Sequence, residues 1–247
     1  MKRILSLVLV LCVAASLFAA TGLTVKAGGA FDLFSLKTVE DKNKETSYIF
    51  KGNGLGFNVG LQYDFNDKVM AYADFTMVFP SDFVVTADKN SDYSARFSDW
   101  ARDAEEYVET YLGDGKSTHP LFFLDASAGA AYKFDFNPIK LAVGGGAYYN
   151  LLLGKITQKG MYYDTEIDYL DVLTFYTIGL SGLIDAKYMV SKNVGIYLTA
   201  MPQVGFYSYR SFRFYESGEE RDDLANILYG FNVSFTLPIT IGASYSF

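Results

Sequence analysis

Ten charged side chains fall on one parity of alternating segments: Lys26, Asp32, Asp64, Asp74, Asp125, Lys133, Asp135, Lys140, Asp185 and Lys187. Charges held on one face point at a shared interior, where carboxylates and ammonium groups either pair or line a polar passage. Other chemistry is sparse. His119, the sole histidine, stands before Pro120 with no serine or acid motif beside it, so it reads as a spacer rather than a general base. Cys12 is the one cysteine and lies in an N-terminal segment expected to be removed. The remaining chain then offers no disulfide, thiolate nucleophile or thiolate metal site. Asp164-Thr165-Glu166-Ile167-Asp168 and Glu219-Glu220-Arg221-Asp222-Asp223 carry oxygen ligands for calcium or magnesium, but neither has the spacing of a dedicated loop. They read as solvated acid. No catalytic residue, metal or cofactor is expected.

The elements that position these charges follow from hydrophobic period. In Leu55 to Phe65, Leu124 to Phe136, Ile139 to Tyr149 and the closing segment through Phe247, apolar residues alternate with small or polar ones. That is the two-residue period of strands. Looser alternation covers Leu23 to Leu36, Val69 to Phe79, Val172 to Val190 and Val194 to Phe206, giving about eight strands, or ten if a long segment folds back. The 22 glycines, 20 tyrosines and 21 phenylalanines agree with strands and turns.

Residues 1–20 read as an export signal: Lys2 and Arg3, an apolar run from Ile4 to Val13, then a small-residue exit. Residues 21–247 read as one domain. No later apolar run reaches the roughly 20 residues of a membrane helix, and a net charge of -7 excludes the basic face a nucleic acid needs.

Connections alternate in length. Short turns are expected at Asn66-Asp67-Lys68, Asn137-Pro138 and Ser191-Lys192-Asn193, and long polar loops at 37–51, 80–119, 154–169 and 210–223. The face opposite the charges is greasy, with Tyr63, Phe65, Tyr132, Phe134, Phe136 and Tyr188 near strand ends. A soluble sandwich puts polar residues outward. Apolar outer faces ringed by aromatics, with polar interiors, are the pattern of an all-β, transmembrane up-and-down antiparallel barrel.

Signal, alternating strands, alternating connections and the closing ITIGASYSF resemble the small outer-membrane β-barrel proteins of diderm bacteria, most generally the OmpW-type barrels, alongside OmpX-like and OmpA-barrel-like relatives. The resemblance implies an outer-membrane location, a lipid surround, a monomer and passage of small hydrophobic molecules. It also implies that Ile241, Tyr245 and Phe247 form the C-terminal signal read by the barrel-assembly machinery.

The inward charges are then lumen candidates, forming either a conduit or an ion-pair network that fills a narrow interior. Pro202 and Pro238 interrupt strands and remove ladder donors. They mark either a lateral opening, as OmpW-type barrels are held to use for hydrophobic cargo, or two independent bulges. RFSDWARDAEEYVETYLG predicts a helix capped by Ser98 and ended by Gly113, with Phe97, Trp100, Ala104, Tyr107, Val108 and Tyr111 on one stripe. Such a helix is expected to cover the barrel mouth, the outer leaflet or a partner. Two functions stay open: a passive channel or carrier for small, hydrophobic solutes, or a surface adhesin or structural protein acting through acidic, tyrosine-rich loops.

Overall fold

The computed structural model describes residues 22–38, 47–88, 94–111, 116–162, 165–216, 219–220 and 226–247. The expected export signal lies outside the described residues, as do Gly113, Asp164 and residues 221–223. The strands are β1 (Leu23–Lys37), β2 (Ser47–Asp64), β3 (Val69–Asp88), β4 (Ser94–Arg96), β5 (Lys116–Thr118), β6 (Leu121–Phe136), β7 (Ile139–Tyr162), β8 (Thr165–Met189), β9 (Val194–Ala200), β10 (Gln203–Glu216), β11 (Glu219–Glu220) and β12 (Asn226–Ser246). Among the described residues one helix, α1 (Phe97–Tyr111), lies between β4 and β5. No helix among the described residues is long and apolar enough to cross a membrane.

Antiparallel ladders join β1, β2, β3, β6, β7 and β8 in turn, and β8 then pairs with β9 and β10, which act as one stave broken at Met201–Pro202. β12 pairs with both of these and with β1, from Thr24↔Ser246 to Ser35↔Phe235, so the ring closes with eight staves. Following partners once around from Phe34 through Thr236, Gln203, Ser181, Gly146, Gly129, Tyr72 and Gln62 returns to Thr24, ten residues down the same strand. A second circuit from Asp125 returns to Asp135. Eight strands with that stagger tilt by about 43° on a cylinder of roughly 8 Å radius. Such a cylinder is filled by its own side chains.

The expected short turns carry their own chemistry. Asn66 Oδ1 accepts the Lys68 and Val69 N–H groups at 2.8 Å each, and Asp135 Oδ1 accepts Asn137 N–H at 3.0 Å. The expected long loops need correction, because much of each is wall. β7 and β8 stay in register from Gly154↔Leu173 up to Tyr162↔Thr165. β10 stays paired to Glu216, β3 runs on to Asp88 and β2 begins at Ser47. The residues there turn polar because the surroundings change from lipid to water, while the backbone ladder continues.

Apolar side chains cover the outside, including Leu55, Phe57, Leu61, Leu180, Ile184, Leu198, Val233 and Ile241. Below them sits a girdle of Tyr63, Phe65, Tyr132, Phe134, Phe136, Tyr188, Tyr245 and Phe247, and above them the neighbours Tyr149, Tyr176 and Tyr209, the last two stacked at 4.8 Å. With no water in the bilayer core, a closed ring satisfies every backbone group internally. Exposed grease and a closed ladder together define a membrane-spanning barrel.

Candidate functional site

The lumen is built in three layers from the turn end upward. At the lowest rim Lys133 pairs with Asp64 at 2.8 Å, and these two line a vestibule of about 420 Å³ with Asp135 and Lys140. Above it Lys26 is wholly buried. Its Nζ donates to Asp185 Oδ1 and to Thr199 Oγ1, both at 2.8 Å, stands 3.8 Å from Asp74 Oδ1 and lies 4.4 Å over the Tyr197 ring. Thr199 also donates to Asp185 Oδ1, Gln62 Nε2 donates to Asp185 Oδ2 at 3.0 Å, and Lys187 Nζ reaches Gln62 Oε1 at 3.2 Å. Tyr197 donates to Asn58 at 3.1 Å and Asn58 to Thr76 at 3.0 Å. These contacts cross the lumen from β1 and β2 to β8 and β9.

The middle layer holds Asp32 and Asp125, placed at one height by the stagger of the ring. Gln203 Nε2 donates to Asp125 Oδ1 at 3.0 Å, and Thr236 donates to Gln203 Oε1. Asp125, Asn150 and Thr177 are cross-strand neighbours in one inward row. Both Asp32 oxygens, Asp125 Oδ2, the Tyr148 hydroxyl, the Asn150 amide and the Thr177 hydroxyl have no hydrogen-bond partner among the described residues. The buried, described charges of the lumen are four carboxylates, Asp32, Asp74, Asp125 and Asp185, against two ammonium groups, Lys26 and Lys187. The lower and middle lumen is therefore lined by polar and ionisable side chains, and among these buried, described charges only Lys26, Asp74 and Asp185 form a close ion-paired group.

The upper layer inverts this chemistry. Phe34, Leu36, Phe50, Val78, Phe83, Phe123, Leu152 and Phe175 point inward and are 0–3% exposed. Phe34 stacks on Phe123 at 4.8 Å, and Phe50 meets Phe175 at 5.4 Å and Phe83 at 5.6 Å. α1 closes the top, burying Phe97, Ala101, Ala104 and Val108, with Phe97 against Phe83 at 5.2 Å. Its cap differs from expectation: Ser98 is already helical, and Asp82 of β3 accepts the Ser98 N–H at 3.0 Å and its hydroxyl at 2.8 Å. An acceptor from a neighbouring strand thus fixes the helix start on the wall.

Beside α1 a cleft of about 530 Å³ opens outward between the helix and β7, β8 and β10. Trp100, Tyr107, Tyr169 and Phe212 wall it, and Ile156 and Ala104, members of the aromatic layer's cluster, form its floor. Trp100 stands 6.2 Å from Phe212, and Tyr107 stands 6.3 Å from Tyr169. Asp171, five residues above the Tyr176 girdle, completes the lining, and burial pushes its carboxyl up to about 6.

All ten lumen candidates thus lie at the rim or inside, with Asp125 and Asp32 apart from any ion pair among the described residues. Pro238 faces inward in continuous register with Asp32, and the ladder crosses the stave break through Met201 N–H to the Pro238 carbonyl at 3.0 Å and Gly182 N–H to the Pro202 carbonyl at 2.7 Å. Register shifts lie elsewhere, at Gly52/Gly54 and Gly205/Tyr207. Ile241 and Tyr245 sit on the exposed outer face of β12, and Phe247, also exposed, follows its last residue. His119 stands 3.6 Å from Glu105, while the nearby Ser98 hydroxyl donates to Asp82 rather than to His119. No cluster of three metal-ligating residues occurs among the described residues.

No family model and no curated protein matches the chain. Among solved structures, a major outer membrane protein from Thermus thermophilus superposes with a TM-score of 0.53 at 13% identity, over 91% of this chain and 99% of that one. Outer membrane protein OprG from Pseudomonas aeruginosa aligns over 92% and 96% at 12% identity with a TM-score of 0.46. Ail, the attachment invasion locus protein of Yersinia pestis, aligns over 92% and 99% at 14% identity with a TM-score of 0.41. The architecture is that of a bacterial outer-membrane β-barrel.

Proposed function

From the premise of an outer-membrane barrel, we propose that the chain is a passive carrier for small, largely apolar solutes, which enter from the outside through the cleft beside α1. The observation that carries this is continuity: the cleft floor belongs to the same cluster as the aromatic upper lumen. An apolar solute leaving water gains by entering such a space, whereas a hydrated ion meets rings first and then a charged barrier. The helix is the movable part, held at one end by the Asp82 cap. Planar-bilayer recording on refolded protein should give no steady conductance above a lipid-only control. Liposomes carrying the barrel should take up an apolar probe faster than bare liposomes, and excising 94–118 should quicken that uptake without adding ion leakage, since the aromatic layer and the charged network remain. Uptake equal to that of bare liposomes would sink the carrier.

A second function, adhesion, draws on the β7–β8 hairpin, whose ladder continues from Tyr149 to Tyr162, roughly 30 Å beyond the upper girdle at the tilt given above. A pull-down with that hairpin shortened tests it: retained capture excludes the hairpin. For biogenesis, the outward Ile241, Tyr245 and Phe247 are assigned to recognition by the barrel-assembly machinery, and Phe247→Ala should lower the folded fraction in cells without changing refolding from urea into micelles.

A further inference from the structure

The cleft beside α1 has walls and charges that select more narrowly than apolarity alone. Trp100, Tyr107, Tyr169 and Phe212 present four aromatic rings from two sides, α1 on one and β8 with β10 on the other. Their contacts are tilted or edge-on, at interplanar angles of 67–69° for the pairs across the cleft, so ring faces remain turned toward the space. Among the described residues, the charged side chains in the lining are both carboxylates, Asp103 and Asp171, with no lysine, arginine or histidine beside them. Asp103 is exposed and lies 3.8 Å from Arg102 outside the cleft, which leaves Asp171, half-buried and without an ion pair among the described residues, as the inward anion. Tyr169 is held at the rim by its hydroxyl, which donates to Glu216 Oε1 at 3.4 Å.

Aromatic faces attract cations through their quadrupoles, most strongly when water is excluded, and a carboxylate at the far side completes the complement. We infer that this cleft binds an organic cation with an apolar body, such as a quaternary or tertiary amine, through the rings of Trp100, Tyr107, Tyr169 and Phe212 and the carboxylate of Asp171. A bare metal ion fits poorly, since the cleft offers few oxygen ligands and a wide space of about 530 Å³. An anion would face like charge. This deepens the carrier function above and rests on the same cleft.

The chain supplies its own reporter, because Trp100 is its only tryptophan. Refolded protein in a maltoside or glucoside micelle, free of phosphocholine detergent, is titrated with choline and, separately, with 3,3-dimethylbutan-1-ol, which replaces the charged nitrogen by carbon. The inference requires saturable quenching by choline, with the neutral isostere at least about tenfold weaker. Asp171→Asn and Tyr107→Leu should each weaken choline by roughly tenfold, while heat-modifiable migration on a gel shows that both variants still fold. Equal binding of choline and the isostere overturns the cation assignment and leaves apolar entry standing. Binding of neither overturns both. Choline binding that Asp171→Asn leaves unchanged also overturns the assignment of the anion.

Discussion

Below Asp125 the lumen is filled by Lys26, Asp185, Gln62 and Lys187 in mutual hydrogen bonds; above it, by Phe34, Phe50, Phe123 and Phe175 set ring against ring. Both fillings lie across the lumen, yet they resist opening differently. Charge pairs in a narrow interior depend on direction, and parting them strands a charge far from water. Ring contacts have no such requirement, so one ring is replaced by another or by a solute at small cost. A solute that passes this barrel meets an adaptable layer first and a rigid one second.

The comparison breaks most severely if the rigid layer loses its centre. Lys26→Met leaves Asp185 and Asp74 without their cation, and guanidinium unfolding in micelles should show a loss of about 3–5 kcal/mol. Adding Asp185→Asn to that variant should recover part of the loss; no recovery would mean that Lys26 acts by packing alone. Next comes the adaptable layer. Phe123→Ala should cost about 3 kcal/mol and also quicken uptake of an apolar probe, a pairing not expected of any change in the lower network.

A smaller effect sharpens the role of the lid. Asp82→Ala removes the acceptor at the start of α1 and should cost about 1 kcal/mol, read chiefly as faster proteolysis within 94–118 while the ring stays intact. The smallest effect is one of pH. Asp171 holds its proton up to about 6 in the folded chain, whereas the unfolded chain releases it near the usual carboxylate value. Falling pH through that window therefore favours the fold, so the melting temperature of wild type should rise relative to Asp171→Asn between pH 7.5 and 5. The same protonation should weaken choline binding over that range.

What could be read from residues alone follows the same division. Charges on one parity marked the lower lumen, because lipid on one side and pairing on the other force a clean two-residue alternation. The upper lumen was hidden. At Phe122-Phe123 and Leu151-Leu152-Leu153 both faces are apolar, one toward the outer surface and one toward the aromatic layer, so no period separates them. The neutral members of the network, Gln62, Asn58, Tyr197 and Gln203, were also missed, since each is ordinary on any strand until Lys26 or Asp125 is brought beside it. Strand ends were misjudged for a different reason: beyond the girdles both faces turn polar while the ladder persists, as at Lys159↔Asp168. The register shift at Gly205/Tyr207 flips inward parity from Gly205 to Ser208, which only three-dimensional pairing reveals.

The seam between the first and last strands has a consequence for how the ring comes into being. Thr24 and Ser246 touch at 2.8 Å although 222 residues separate them, and no other ladder can substitute for theirs. Each other stave finds its partner among chain neighbours, so local hairpins form early and this longest loop closes late. Until then β1 and β12 are two raw edges, each carrying a row of unpaired backbone groups that lipid cannot satisfy. The paired glycines Gly28 and Gly242 keep that row free of side chains: a methyl on Gly28 would collide with the Ile241 carbonyl oxygen. Substituting either by valine should slow the final closure far more than the formation of any hairpin, making the chain's first and last strands its kinetic bottleneck.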